Sequence, residues 1–504
     1  MDYSKFKSGS DIRGYALGDE SNPLYMNDEM IMRCTAAFYL WLKDKAKAYN
    51  PCNLYISVGH DSRLSAERIK NAVISTLVSH GANVADFGLS STPAMFMSVV
   101  DHGCDGAIQI TASHHPKDRN GLKFFTRDGG LDSSDITDIL KSAAEIKNPV
   151  GNGNGNCETC DFMKRYAEIL RNMIIDGVDS NDDREKPLKG MKIVVDAGNG
   201  AGGFYATDVL EPLGADISGS IYLEPDGNFP NHAPNPENAE AMKCISKATA
   251  ESGADFGVIF DTDVDRAACV GKGGFEINRN RLVALASKIA LANCEGGTIV
   301  TDSVTSDGLA EFIAENGGKH LRFKRGYKNV INKQIELTKQ GIPCPLAMET
   351  SGHAAFAENH FLDDGAYLIT KLIIEAAALA KQGKRLEDLI CNLKEAQEEK
   401  ELRFRILCDD FRPEGEKIIE HFENEAKNHT GWTVCNDNHE GIRINTDNGW
   451  FLIRLSVHDP IIVLNTESNE LGGTLKICKE IKEVISGAAN IDMIDISALD
   501  NYVN

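Results

Sequence analysis

The sequence predicts an α/β fold: three similar mixed α/β domains followed by a C-terminal α+β domain. Two patterns predict it. Short β-rich runs repeatedly end in polar or glycine-rich loops, with helical stretches following, and this alternation marks mostly parallel sheets. The last part of the chain breaks that rhythm with an alternating run, Trp450–Ser456, and a short apolar strand, Ile461–Leu464.

Taken in order, the repeats are these. Leu54–Val58 leads to Gly59-His60-Asp61-Ser62-Arg63, and Ala107–Ile110 to Thr111-Ala112-Ser113-His114-His115-Pro116. Ile193–Val195 leads to Asp196-Ala197-Gly198-Asn199-Gly200, Val258–Phe260 to Asp261-Thr262-Asp263-Val264-Asp265-Arg266, and Thr298–Val300 to Thr301-Asp302-Ser303. Ala366–Ala380 reads as a long apolar helix. At about 150 residues per domain, 504 residues imply roughly three or four domains. The boundaries come from composition. The charged stretch 179–187, the segment 293–297 and the charged stretch 394–401 predict domains at 1–185, 186–294, 295–400 and 401–504. Residues 148–156, NPVGNGNGN, read as a flexible insertion, and Cys157-x-x-Cys160 beside them as a surface loop rather than a zinc site.

A hydrophobic content of 42% suits ordinary globular cores, and no apolar run approaches the ~20 residues of a membrane span. Met1–Lys7 lacks the apolar region of a signal peptide, and 13 scattered cysteines suit reduced thiols, so a cytoplasmic protein with no membrane partner is expected. A formal charge of −22 argues against nucleic acid as a partner, since that binding needs basic surface. It also requires any anionic ligand to find a local basic pocket. The expected assembly is a monomer or a homodimer.

Two loops carry the chemistry. Ser113 lies on a tight loop at the end of an apolar strand, where ligands gather in open α/β sheets. Asp261, Asp263 and Asp265 alternate along one extended segment, so their carboxylates converge and a bound cation relieves their repulsion. Oxygen-only ligation suits Mg²⁺. An EF-hand is excluded, because its glycine and its glutamate positions are held by Arg266 and Lys272. No G-x-S-x-G elbow surrounds Ser113, so phosphoserine chemistry fits better than a serine hydrolase. Arg13, Arg63, Lys123, Arg266 and Arg454 lie on or beside strand-end loops, and Glu349-Thr350-Ser351-Gly352-His353 forms a compact polar loop able to bind sugar hydroxyls.

Together these motifs resemble the α-D-phosphohexomutase family, phosphoglucomutase/phosphomannomutase branch. Thr111–Pro116 is similar to the family's T-A-S-H-N/H-P serine loop, Asp261–Arg266 to its D-x-D-x-D-R metal loop, and Met348–His353 to its G-E-x-S-G-H sugar loop, with Met in place of the first glycine. The resemblance spans essentially the whole chain and implies domains arranged around a central cleft. It makes Ser113 the phosphorylated residue and a metal ligand alongside Asp261, Asp263 and Asp265. It puts Arg13, within Ser10-Asp11-Ile12-Arg13-Gly14, near the transferring group, with Ser10 where the family has tyrosine. Lys123 becomes the general acid/base, with His114 beside it. Arg266, Lys324, Glu349, Ser351 and His353 become substrate-binding, and Arg454, Ser456 and His458 stand for the family's R-x-S-G-T-E-P phosphate clamp. Here Val457-His458 replaces its Gly-Thr pair. The implied reaction interconverts hexose 1-phosphate and hexose 6-phosphate, glucose or mannose being the sugar, with Mg²⁺ and hexose 1,6-bisphosphate as cofactors. The intermediate turns around between two transfers.

Two other readings remain at this point. Val258–Val264 also resembles the nucleophile segment of haloacid-dehalogenase phosphatases, which would make Asp261 the nucleophile. A non-catalytic sugar-phosphate sensor on the same fold is the other.

Overall fold

The protein is described from a computed structural model covering residues 2–18, 22–45, 53–179, 183–456 and 459–504. The chain forms two compact units, Met1–Ala290 with Ser351–Cys391, and Leu291–Thr350 with Asn392–Asn504. Among the described residues no helix is long and apolar enough to cross a membrane.

The first unit holds two mixed sheets. In the larger, the strands Gly106–Ile110, Tyr55–His60, Asn83–Leu89 and Cys157–Thr159 run parallel, in that order. Arg119–Thr126 and then Asp11–Tyr15 extend the sheet antiparallel on the other side. Its core is formed by Ile56, Val58, Ile108, Ile110 and Leu122 packed against Phe38, Ile69, Val73 and Ile136 from the helices Asp28–Lys45, Ala66–Ser79 and Ser133–Glu145. Those helical positions recur at the spacing that buries one face. In the second sheet, Ile193–Asp196 runs parallel to Phe256–Phe260, and Ala267–Gly271 and Phe275–Ile277 follow antiparallel.

Two sequence expectations are corrected here. The serine loop and the aspartate loop do not lead into helices; each closes an antiparallel return. Phe260 pairs with Ala267 across the aspartate loop, and Ile110 with Leu122 across the serine loop. The reason is burial. Ala267–Gly271 is buried at every position and has no polar face for a surface helix, so a sheet ladder satisfies its backbone. The second correction concerns residues 148–156. They are tied to the end of the helix Ala66–Ser79, with Gly153 N donating to Ser79 O at 2.6 Å and Gly155 N to Val78 O at 3.0 Å. A Cβ on Gly155 would lie 1.9 Å from the carbonyl oxygen of Ala82, so the glycine there serves close packing rather than flexibility.

The second unit contains a parallel ladder of Lys319–Phe323, Thr298–Asp302 and Leu346–Met348. It also contains the C-terminal antiparallel sheet, in the order Thr433–Val434, Ile442–Thr446, Gly449–Leu455, Ile461–Ser468, Glu398–Ile406 and Ile494–Asp495. The helix Phe411–Ala426 buries Ile418, Phe422 and Ala426, and Gly473–Ser486 buries Ile477, Ile481 and Ile485, both at i, i+4, i+8. They cover Phe404, Phe451 and Ile453 of the sheet. Each such side chain contributes roughly 1.5–3 kcal/mol by leaving water.

Candidate active site

The serine loop begins where Gly106–Ile110 ends. Ser113 is 1% exposed and has φ +50°, a left-handed conformation uncommon for a residue with a side chain. Its amide donates to Thr111 Oγ1 at 2.8 Å, and its hydroxyl donates to Asp261 Oδ2, also at 2.8 Å. The predicted nucleophile and the predicted metal loop therefore meet directly. His114 and His115 stack with ring centroids 4.9 Å apart. The positive charge of Arg266, followed by burial, drives His114 far below the usual histidine range. Burial, with Arg13 next, holds His115 down at about 3. Arg13 pairs across the sheet with Gly121, and its guanidinium binds Asp11 at 2.7 Å.

Asp261–Asp265 are buried. Asp261, Asp263 and Asp265 each offer an oxygen, and all three lie within 4.8 Å of one another. Lys123 Nζ donates to Asp263 Oδ2 at 3.1 Å and to Asp265 Oδ2. That lysine, with Arg266, outweighs burial and holds Asp265 far below the ordinary carboxylate range. Burial, followed by the charges of Asp265 and Asp263, pushes Asp261 well up. The other oxygens, Asp263 Oδ1 and Asp265 Oδ1, are buried and have no hydrogen-bond partner among the described residues. Unsatisfied buried carboxylate oxygens are costly, so this all-oxygen set fits a hard divalent cation. Val264 has φ +69°, an outlier for a β-branched residue; Gly365 N holds its carbonyl at 3.1 Å. Strain of this kind survives only where neighbours fix it.

One contributor to this loop is not legible from the sequence. Thr92 begins the helix Thr92–Val100, which Ser91 caps through Ala94 N at 3.3 Å. Thr92 N donates to Asp263 O at 2.8 Å, and its hydroxyl donates to Asp263 Oδ2. Ser91-Thr92-Pro93 signals a helix start, but nothing in it points to a carboxylate 171 residues away.

Arg266 and His353 form an antiparallel bridge. Arg266 Nε donates to His353 Nε2 at 2.8 Å, so the ring proton sits on Nδ1, which donates to Asp363 Oδ2. Asp363, also missed in the sequence, receives Ala354 N at 3.1 Å on its other oxygen. This series of contacts aims a guanidinium beside the aspartates. Gly352 makes the close approach possible: its φ is +96°, and a Cβ there would lie 2.5 Å from Ala267 O. Ser351 is buried at the start of this bridge.

The other predicted residues belong to the second unit. Glu349, 4% exposed, accepts Gly326 N at 2.6 Å, and Lys324 is exposed at the end of Lys319–Phe323. Arg454, 7% exposed, lies 3.8 Å from Glu440, and burial lowers its pKa. Ser456 Oγ accepts Asp459 N at 3.3 Å. His458, with Val457, lies outside the described residues.

Residues 5–149, 164–274 and 278–396 match alpha/beta/alpha domains I, II and III of the phosphoglucomutase/phosphomannomutase family. A phosphomannomutase/phosphoglucomutase of Pseudomonas aeruginosa is 32% identical over 422 residues, covering 83% of this chain and 84% of that one. Its counterpart in Pseudomonas putida is 31% identical over 417 residues, covering 82% and 83%. The crystal structure of a phosphoglucomutase/phosphomannomutase family protein from Burkholderia thailandensis superposes with a TM-score of 0.79 at 26% identity, over 97% of this chain and 98% of that one. Fold and similarity define a hexose-phosphate mutase, an enzyme of the isomerase class. More narrowly, the chain belongs to the phosphoglucomutase/phosphomannomutase family of α-D-phosphohexomutases. Neither the phosphatase nor the non-catalytic sensor is supported by these similarities.

Proposed function

We propose that this enzyme interconverts the 1- and 6-phosphates of glucose and of mannose, with phosphorylated Ser113 as carrier and hexose 1,6-bisphosphate as intermediate. The observation that carries the reading is the buried Ser113 hydroxyl, 2.8 Å from Asp261 in a cluster of three carboxylates. The Ser113 phosphate passes to the free hydroxyl of a hexose monophosphate, giving the bisphosphate and free Ser113. After the sugar turns, its other phosphate returns to Ser113 and the isomeric monophosphate leaves.

Asp261, Asp263 and Asp265 would hold Mg²⁺, with a Ser113 phosphate oxygen completing the set. The ion, when bound, neutralises the charge of the transferring group. Lys123, between Asp263 and Asp265, exchanges the proton of the attacking or leaving sugar hydroxyl. Arg266, aimed by His353 and Asp363, stabilises the phosphoryl group in flight, and Arg13 lies near it. His114, whose Nδ1 lies 3.4 Å from the Ser113 hydroxyl, takes part by hydrogen bonding beside the transferring group. Glu349, Ser351 and His353 with Lys324 serve sugar recognition, and Arg454, Ser456 and His458 hold the phosphate that is not reacting. A phosphate carries about −1.5 to −2 charges at pH 7, so these basic groups offset the acidic whole. Four domains bounded near 185, 294 and 400 remain our partition of the chain.

Replacing Ser113 by Ala tests the carrier. Mutase turnover is expected to vanish and the phosphopeptide containing Ser113 to disappear. Undiminished activity would return Asp261 to consideration as a nucleophile.

A further inference from the structure

Arg63 reads in the sequence as one more strand-end cation. In the structure it is 2% exposed. Its five N–H donors are all used within the protein. Nε binds Asp61 Oδ2 at 3.1 Å, Nη1 binds the carbonyls of Pro116 and Arg119 at 2.6 and 2.9 Å, and Nη2 binds those of Ser113 and His115 at 2.5 and 2.6 Å. One guanidinium thus gathers three carbonyls of the serine loop and that of Arg119, where the returning strand begins. Asp61 is itself fully buried, receives Arg63 N at 3.0 Å, and accepts the Thr111 hydroxyl at 2.7 Å. That hydroxyl in turn accepts the Ser113 amide. The ring of Phe229 lies over the guanidinium at 5.4 Å.

Both backbone groups of Ser113 therefore trace to one buried ion pair: the carbonyl through Arg63, the amide through Thr111 and Asp61. Ser113 sits in the left-handed region, where a serine stays only if its surroundings over-determine it. With no donor left over, Arg63 has nothing to offer a substrate phosphate.

We propose that Arg63, held by Asp61, is a positioning residue for phosphoryl transfer: it fixes the serine loop so that the Ser113 oxygen faces the carboxylate cluster before substrate arrives. The inference rests on Ser113 being the phosphoryl carrier. It distinguishes this arginine from Arg13 and Arg266, to which charge-stabilising roles are assigned.

Two variants of the full chain test it. In Arg63→Lys, an ammonium has three donors from a single point and cannot span four carbonyls. In Thr111→Val, only the link from Asp61 to the Ser113 amide is removed, at nearly constant volume. The expected result for folded protein is a kcat lower by about 100-fold in Arg63→Lys and about 10-fold in Thr111→Val, with KM within about threefold. The ³¹P resonance of the phosphoserine is expected to broaden or shift in both. Melting curves report folding; if Arg63→Lys fails to fold, the gentler Thr111→Val decides alone. Folded variants with kcat within about threefold of the parent, or a loss confined to KM, would overturn the proposal. Failure of the carrier reading is separately visible: in the unmutated enzyme, phosphopeptide mapping would then find the label elsewhere than Ser113.

Discussion

Ser113 and Asp261 are 148 residues apart in sequence and one hydrogen bond apart in space. What joins them are short side chains whose individual roles have clear physical content. Thr92 gives its amide to the main-chain carbonyl of Asp263 and its hydroxyl to the Asp263 carboxylate, fixing a group that its neighbours repel. Outer partners of metal ligands typically contribute 10–100-fold in metal affinity, so Thr92→Val is expected to weaken Mg²⁺ binding by about that factor in calorimetric titration. Unchanged affinity would remove Thr92 from the metal site. His232 illustrates a different effect. Its ring nitrogens face Ala233 O and Asp196 Oδ2, both at 2.9 Å, so both are satisfied only when the ring is protonated. Burial alone would push its pKa down, but the bond and charge of Asp196 prevail and the pKa is raised. A raised folded-state pKa gives stability that is complete below the unfolded value, about 6.5, and lost as pH rises through the folded value. The melting temperature is therefore expected to fall on going alkaline from about pH 6.5, and His232→Gln to flatten that slope. At this scale Ser113, the aspartates and Lys123 could be picked out as candidates because they lie in local motifs, and the structure brings them together. Thr92, Asp363 and the contacts of Arg63 could not, because their partners are distant in the chain.

Strands and helices were legible where periodicity was strong. The helix Gly365–Ala380 and the strand Gly449–Leu455 match their sequence runs within a residue or two. What followed the two chemical loops was not legible. A short apolar run such as Ala267–Val270 suits a helix or a buried strand equally, and only the sheet's need for a hydrogen-bonding neighbour decides it. The consequence is functional: each loop is pinned at both ends by paired strands, not tethered at one. Glycine-rich 148–156 misled in the same way, since glycine marks close approach as well as freedom. Gly155→Ala must displace the Ala82 carbonyl, and overpacking of this kind costs about 1–3 kcal/mol. A lower melting temperature with the secondary-structure spectrum retained is the expected outcome, and an unchanged one would mean the segment yields freely.

For the molecule as a whole, a net charge of −22 sets the problem that the local cations solve. Carboxylates are both the excess charge and the proposed metal site, so the proposal makes turnover depend on a bound divalent ion. Chelation with EDTA is expected to abolish turnover and added Mg²⁺ to restore it, read by a coupled mutase assay; full activity in metal-free protein would dissociate the aspartate loop from catalysis. The fold class, three α/β domains and a different C-terminal one, was legible from alternation and its breakdown. The sugar was not, because glucose and mannose differ by the orientation of a single hydroxyl and no loop motif names its reader. The most direct test of the central claim is ³¹P NMR of the enzyme with Mg²⁺, a trace of glucose 1,6-bisphosphate, and glucose 1-phosphate or mannose 1-phosphate in parallel samples. Conversion of the 1-phosphate signal into a 6-phosphate signal with both sugars, at constant total ester phosphate, is the predicted result. Accumulation of inorganic phosphate, or no conversion of either sugar, would contradict it.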